Sequence, residues 1–435
     1  MKSYNRVLID PQALVHNYRY LKSRVAPGVR FMAMVKSDAY GHSMTRAAAV
    51  LEASGCSIFG VAEVAEGVVL RETGCRGEIF IFLGFEPPHL DYFFSHNLTP
   101  VVFTFEDLSR ISAAQKDQGS SLPVYLKFDC GMSRLGFSPA EAVEVFSRCE
   151  KLSIAPAGIM SHFPCSDNHH SKNSEQVAEL FYRIAPHNSD AQPLVRSICN
   201  SGGLLYQPYS HGDMVRIGIS LYGYYPDGDK AKENNAQEGL RPAMSCVSRV
   251  IQVKTVAAGS GISYGHTYIT DRETKIAVLP IGYSDGLFRT MSNRAEVLIR
   301  GQRAPVRGRI CMNMCMADIS TIENVAVGDE VDADGRAVDL LHQQVCNRVQ
   351  VRLVDRAQDD QQEHQGHDDL GDEPRRQRVA PGRVLAVAVG GEAGGFETRL
   401  AAGNHEQHRD EGKKMSHRAF HVQPDASAQR PYPPR

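Results

Sequence analysis

The sequence predicts an α/β protein: a (β/α)8 TIM-type barrel, then a mainly antiparallel β domain, then an atypical, disordered C-terminal tail. Three observations carry this. Eight short apolar runs alternate with amphipathic stretches over about the first 220 residues. From about Arg241 the rhythm changes to short β-rich runs separated by glycine-containing turns. After about Asp332 hydrophobic periodicity fades, with Val384–Val389 the exception. A doubly wound sheet would alternate like the first half, so alternation alone leaves that option open.

The strands expected in the barrel are Phe31–Val35, Ile58–Val61, Ile79–Leu83, Pro100–Phe103, Val124–Phe128, Ile154–Met160, Val195–Cys199 and Met214–Ile217. Asp10-Pro11 opens the first helix with a capping acid and a proline at the first helical position. Ser138-Pro139 repeats the signal before Ala140–Cys149. The β-rich part predicts strands over Ser248–Val256, Lys275–Pro280, Ala295–Ile299 and Val325–Val331. Residues 1–235 are therefore assigned to the barrel, although 1–9 can pair with the β domain instead. Residues 236–332 form the β domain, which reads as unfinished, and 333–435 form the tail.

From Asp334 onward there are 13 arginines against two lysines, and no isoleucine follows Ile322. So abrupt a shift fits a segment read in the wrong frame, and it can bury little apolar surface. The clustered histidines His364, His367, His405 and His408 are what such biased composition produces freely, and no metal is expected.

A formal net charge of −2 gives no reason to expect a nucleic acid or an anionic membrane as partner. No apolar run approaches the roughly 20 residues of a membrane-spanning helix. The first ten residues lack the apolar core of a signal peptide, so the expected location is cytoplasmic. Ten cysteines at irregular spacing, with no C-x-x-C pair, read as reduced, buried thiols.

Four segments carry chemistry. Ala33-Met34-Val35-Lys36 ends the first barrel strand in a lysine, followed by the tight turn Tyr40-Gly41-His42 and a helix from Ser43. A lysine at the carboxyl end of a barrel strand points into the mouth, where crowding lowers its pKa and frees it as a nucleophile or base. Lys127 to Gly136 again lies at a strand end, with Arg134, a permanent forked cation, framed by glycines. Lys127 on that strand faces the interior, where an uncompensated ammonium is costly. His162 ends the sixth strand, as a flat ring able to stack or to take a proton. Asn200-Ser201-Gly202-Gly203 and Arg216-Ile217-Gly218-Ile219 follow strands seven and eight, the positions at which such barrels frequently hold phosphate.

These motifs together resemble the alanine racemase family, a pyridoxal 5′-phosphate (PLP) family of the fold-type III barrel. So do Ser263-Tyr264-Gly265, Ile281-Gly282-Tyr283-Ser284-Asp285-Gly286 and Gly308-Arg309-Ile310-Cys311-Met312. The match runs in order from residue 1 to about 332. The resemblance implies a PLP-dependent racemase that interconverts L- and D-alanine by a two-base mechanism and supplies D-alanine for peptidoglycan. It implies that Lys36 carries PLP as a Schiff base and acts as one base. Tyr264, from the second subunit of a homodimer, is the other. Tyr40, Ser201 and the amides around Gly218 and Ile219 hold the phosphate, with Asn200 beside them, and Arg216 faces the pyridine nitrogen. His162 lies by the ring and bridges Arg216 and Tyr264. Arg134 contacts the phenolate and the substrate carboxylate. The counterpart of Lys127 is carbamylated, Met312 offers its amide to the substrate, and Tyr283 lines the entrance.

Three departures stand out: Asn313 where the family usually has aspartate, Ser43 for a frequent glycine, and a tail without the family's Ile-Pro-Tyr-Glu-like segment. Two other readings stay open. One is a PLP-binding barrel without turnover, either a cofactor carrier or an enzyme disabled by its tail. The other is a racemase of another small amino acid, such as serine.

Overall fold

The computed structural model describes residues 3–168, 172–185, 193–227 and 239–333. The tail and its four clustered histidines lie outside the described residues. Among the described residues no helix is long and apolar enough to cross a membrane, and no group of three or more His, Cys, Asp or Glu could hold a metal ion.

The chain opens with β1 (Arg6–Ile9), then lays down eight parallel strands: β2 (Arg30–Met34), β3 (Ile58–Val61), β4 (Glu78–Ile81), β5 (Leu98–Val102), β6 (Val124–Lys127), β7 (Pro156–Met160), β8 (Val195–Ser197) and β9 (Met214–Ile217). Their order in the sheet is β8-β7-β6-β5-β4-β3-β2-β9. The ends meet through Asp213 N donating to Arg196 O (3.0 Å) and Arg216 N donating to Cys199 O (2.9 Å), which brings the sheet round into a barrel. Eight runs expected as strands are these eight strands. Inside the barrel Met32, Met34, Phe80, Tyr125, Met160 and Met214 pack together. Tyr125 fits only because residue 158 is glycine: a Cβ there would stand 2.3 Å from its ring.

The first helix, Pro11–Lys22, starts as its sequence signal predicts, with Asp10 Oδ1 accepting from Gln12 N (2.8 Å) and Ala13 N (3.2 Å). Ser138-Pro139 instead opens a short 3-10 turn, Pro139–Glu141, and the α-helix runs over Ala142–Lys151.

The β part contains β10 (Met244–Arg249), β11 (Gln252–Val256), β12 (Gly261–Ile262), β13 (Tyr268–Ile269), β14 (Thr274–Leu279), β15 (Glu296–Ile299), β16 (Gln302–Pro305), β17 (Cys315–Asp318) and β18 (Glu330–Ala333). They form a five-stranded sheet β1-β10-β18-β15-β16, a three-stranded sheet β11-β14-β17 and the hairpin β12-β13. β1 joins this part, antiparallel to β10. The single strand expected over Ser248–Val256 is two. Val250 N donates to Asp329 O while Ile251 N donates to Val278 O, so the backbone changes sheet between neighbouring residues. Val325–Val331 is strand only from Glu330, because Gly328, at φ +97°, turns the chain immediately before it.

One buried side chain ties the two halves together. Asn17 donates to Leu221 O (3.1 Å) and Arg241 O (2.7 Å) and accepts from Arg241 N (2.7 Å). Asn17→Ala leaves buried backbone groups without partners. The expected loss of unfolding free energy is about 3 kcal/mol, read from urea denaturation midpoints at unchanged slope. A loss under about 0.5 kcal/mol would show that Asn17 does not join the halves.

Candidate active site

The carboxyl ends of the barrel strands surround a cavity of about 320 Å³. Its lining includes Lys36, Tyr40, Lys127, Arg134, His162, Asn200, Ser201, Arg216, Gly218 and Ile219. Every barrel residue singled out from the sequence therefore meets in one place. Tyr264, Tyr283 and Met312 do not. They lie on the β part, 69%, 45% and 57% exposed, and none of them lines the cavity.

Lys36 follows β2, half-buried. Its pKa is lowered by burial first and then by the Arg134 and Arg216 cations, against the opposing pull of Glu66. The turn after it is not the simple tight turn expected. Ser37, Asp38, Ala39 and Tyr40 all have φ between +53° and +56°, a left-handed helical turn built without glycine. It delivers the Tyr40 hydroxyl to Gly218, where a Cβ would lie 2.3 Å from that oxygen. Only glycine at 218 lets the phenol come so close. Burial pushes the Tyr40 phenol up to about 12, so it stays a donor. The Tyr40 ring packs on Tyr222 at 5.0 Å, and Tyr222 Oη donates to Met34 O (2.8 Å) on β2.

Lys127, at the end of β6, is buried and brought down to about 8, by burial first, then by Arg216 and Arg134. The nearby carboxylate of Asp129 opposes this lowering and is outweighed; it accepts four backbone amides: Gly131 (3.0 Å), Met132 (2.8 Å), Ser133 (3.0 Å) and Arg134 (2.7 Å). Burial raises the Asp129 pKa, and these four amides outweigh it and hold the pKa below the usual range. Asp129 thus shapes the loop that presents Arg134, a role the sequence reading missed. Its signal was the pattern Asp-x-Gly-x-Ser, Asp129 to Ser133, at a strand end, that of a side chain capping its own turn.

Arg216 is buried, and its guanidinium donates to Ser197 O (2.8 Å), Ser197 Oγ (2.7 Å), Ser161 O (2.5 Å) and His162 Nδ1 (3.1 Å). Burial lowers it to about 10, still a cation at neutral pH. A guanidinium can only donate, so His162 Nδ1 accepts, while the amide nitrogen of Asn200 stands 3.4 Å from Nε2. Burial, then Arg216, Lys127, Arg134 and Lys36, hold His162 well below its ordinary pKa, so it is neutral. Asn200 caps the next helix by accepting from Gly203 N (3.0 Å), and Ser166 Oγ donates to the same Asn200 oxygen (2.7 Å). Ser201 Oγ accepts from Gly218 N (3.1 Å) and Ser220 N (3.4 Å), which turns its own proton outward. The buried Ser220 hydroxyl beside it has no partner among the described residues.

Lys36, Lys127, Arg134 and Arg216 share this lining with no aspartate or glutamate. A multiply anionic ligand fits such a donor set: a phosphate near Tyr40 and Ser201, with a phenolate or carboxylate near Arg134. Pyridoxal 5′-phosphate has these anionic groups and an aldehyde for a lysine of lowered pKa.

On the β part, Tyr283, Met312 and Tyr264 sit on neighbouring segments. Tyr283 N donates to Cys311 O (3.1 Å), Ser284 Oγ to Met312 O (2.7 Å) and Ser263 Oγ to Arg309 O (2.6 Å). Asn313 spends its amide on Ser284 Oγ (2.8 Å).

A family model described as "Alanine racemase, N-terminal domain" matches residues 9–226, and one described as "Alanine racemase, C-terminal domain" matches 243–351. An alanine racemase of Desulfovibrio desulfuricans is 40% identical over 338 residues, 76% of this chain and 90% of its own length. The crystal structure of the biosynthetic alanine racemase from Pseudomonas aeruginosa superposes with a TM-score of 0.72 at 32% identity, covering 81% of this chain and 98% of that one. The alanine racemase from Bartonella henselae, solved with covalently bound pyridoxal phosphate, shares the fold at 23% identity and a TM-score of 0.72, over 81% and 99% of the two chains.

Burying Lys127 as a cation has a cost with a definite pH signature. Its pKa falls from 10.5 to about 8 on folding. Below pH 8 both states are protonated and the penalty is full. Between pH 8 and 10.5 the unfolded chain binds more protons, so stability recovers as pH rises. In carbon-dioxide-free buffer and without ligand, Lys127→Met is expected to gain about 3 kcal/mol at pH 7. The gain should shrink toward zero by pH 10.5, as measured by urea denaturation. A gain that does not vary with pH would show that Lys127 is not a buried cation.

Proposed function

The chain belongs to the alanine racemase family, and from that premise we propose that it interconverts L- and D-alanine with two bases, Lys36 of one subunit and Tyr264 of another. D-alanine made this way would supply peptidoglycan. The observation that carries the reading is the cavity itself: three basic side chains, Lys127, Arg134 and Arg216, and no carboxylate in the lining, beside a fourth, Lys36, whose pKa is lowered.

In this reading the barrel, residues 1–235, holds the cofactor, and the β domain, residues 236–332, supplies the opposing base. Lys36 would bond the cofactor, and Tyr40, Ser201 and the backbone at Gly218 and Ile219 would hold its phosphate, with Asn200 fixing the loop. Bound pyridoxal phosphate supplies the electron sink that lets an α-proton leave an amino acid. Arg216, a fixed cation in the lining, is the residue that would meet the ring nitrogen of a bound cofactor and disfavour its protonation. Arg134 takes the substrate carboxylate, with Met312 offering its amide and Tyr283 lining the entrance. Lys127, if carbamylated, becomes an anion that steadies Arg134.

Racemisation requires a proton to leave one face and another to arrive at the opposite face. Lys36 Nζ handles one face, helped by the burial and cations that lower its pKa. The partner's Tyr264 handles the other through Oη. The hydrogen-bonded Arg216–His162 pair lies in the cavity to which that Oη would be brought. A homodimer is supported by the exposure of Tyr264, Tyr283, Met312 and Met314 on adjoining segments of the β domain. Cytoplasmic placement is supported by the nine described cysteines, all of them free.

L-alanine in deuterated water should lose its α-hydrogen as D-alanine appears. Lys36→Ala and Tyr264→Phe should each lower the rate by about 10²–10⁴-fold. A refolded mixture of the two variants should recover roughly a quarter of wild-type activity, because each heterodimer keeps one intact site. Heterodimers that form without regaining activity would overturn the shared site. Wild-type protein that takes up the cofactor yet exchanges no hydrogen would overturn the racemase.

A further inference from the structure

Four consecutive residues with left-handed backbone and no glycine among them do not hold themselves. In L-residues this conformation crowds Cβ against the following carbonyl, so surrounding bonds must impose it. Two carboxylates do so after Lys36. Asp38 Oδ1 accepts from Met44 N (2.7 Å) and ties the turn forward to the helix Met44–Ala53. Glu66, on the neighbouring helix Val64–Glu72, reaches back to it: Oε1 accepts from Ser37 N (2.6 Å), while Oε2 accepts from Ala62 N (2.7 Å) and Glu63 N (3.2 Å).

Ala62 and Glu63 directly follow β3, the strand paired with β2. One carboxylate therefore clamps the ends of two adjacent barrel strands, one of which leads into Lys36. Glu66 is also the anion that opposes Arg134 and Arg216 at the lysine.

We propose that Glu66 is a positioning residue for Lys36, holding the left-handed turn against the end of β3 so that the lysine stays aimed into the cavity. This rests on the reading of Lys36 as the residue that bonds the cofactor.

Glu66→Gln is the informative variant. A glutamine offers one acceptor and one donor, so it cannot serve the Ser37 amide and the Ala62 and Glu63 amides together. Apoprotein is mixed with pyridoxal phosphate and reduced with borohydride at intervals, and the adduct at Lys36 is quantified by peptide mass spectrometry. Labelling of E66Q should be slower by about 10-fold or more, with kcat falling in step and KM for alanine held within about 2-fold. Adding Ser37→Gly should restore the rate, because glycine takes the left-handed conformation without an anchor. Labelling of E66Q at the wild-type rate would overturn the proposal, as would a slowed rate that Ser37→Gly does not rescue.

A second measurement needs no variant. In wild-type protein the Ser37 amide should exchange slowly with deuterium, and exchange at the open-chain rate would also overturn the clamp. Failure of the underlying reading looks different. Adduct absent from Lys36 in wild type, or undiminished in Lys36→Ala, removes the cofactor role, while slow exchange at Ser37 would still support the clamp.

Discussion

Positive charge that Glu66 and Asp129 only partly offset, with no carboxylate in the cavity lining itself, is the constraint around which the barrel mouth is arranged. Lys36, Lys127, Arg134 and Arg216 line one cavity, and the carboxylate of Asp129 is committed to four backbone amides. Arg216 can remain buried as a cation because Ser197, Ser161 and His162 satisfy its donors. That in turn obliges His162 to accept at Nδ1 and stay neutral. What is left over is demand for anions, which a phosphate, a phenolate, a substrate carboxylate and a carbamate at Lys127 would meet. Binding any of them stabilises the folded chain through mass action, so the cavity couples ligand affinity to stability.

The frame that keeps those cations in place is made of uncharged contacts. Tyr222 is fully buried, bonds Met34 at the end of β2 and packs against both Tyr40 and His42. It joins the segment after β9 to the segment that presents Lys36. Asn17 and β1 then fasten the barrel to the β part. Tyr264, Tyr283 and Met312 of the same chain are exposed and lie outside the cavity lining, which is the arrangement that the proposed sharing of a site between two copies requires.

Much of the fold was legible because its signals are local. Each barrel strand is a short apolar run, and Asp10-Pro11 caps a helix through its own side chain. Legibility failed where neighbours in space decide. Nothing between Ser248 and Val256 announces a change of sheet; two different partner strands impose it. The turn after Lys36 read as an ordinary tight turn around Gly41, because nothing in the residue types of Ser37, Asp38, Ala39 and Tyr40 announces a left-handed run. Its left-handed form depends on Asp38, Glu66 and the close approach of Tyr40 to Gly218. Asp129 and Ser197 were passed over because their importance lies in what they bond, not in their residue type.

The sequence by itself determined the alternation that makes a barrel, the strand ends at which Lys36, Lys127, His162 and Arg216 stand, and the family those motifs belong to. The alternation and the strand ends follow from periodicity and spacing along the chain, and the family from the resemblance of whole motifs; none of these needs a third dimension. Only the tertiary structure decided the protonation of the site: an arginine kept charged, a histidine kept neutral and two lysines brought down by crowding. It alone also placed Tyr264 outside its own chain's cavity. Both outcomes depend on distances between residues far apart in sequence, and burial and Coulomb interaction act through those distances.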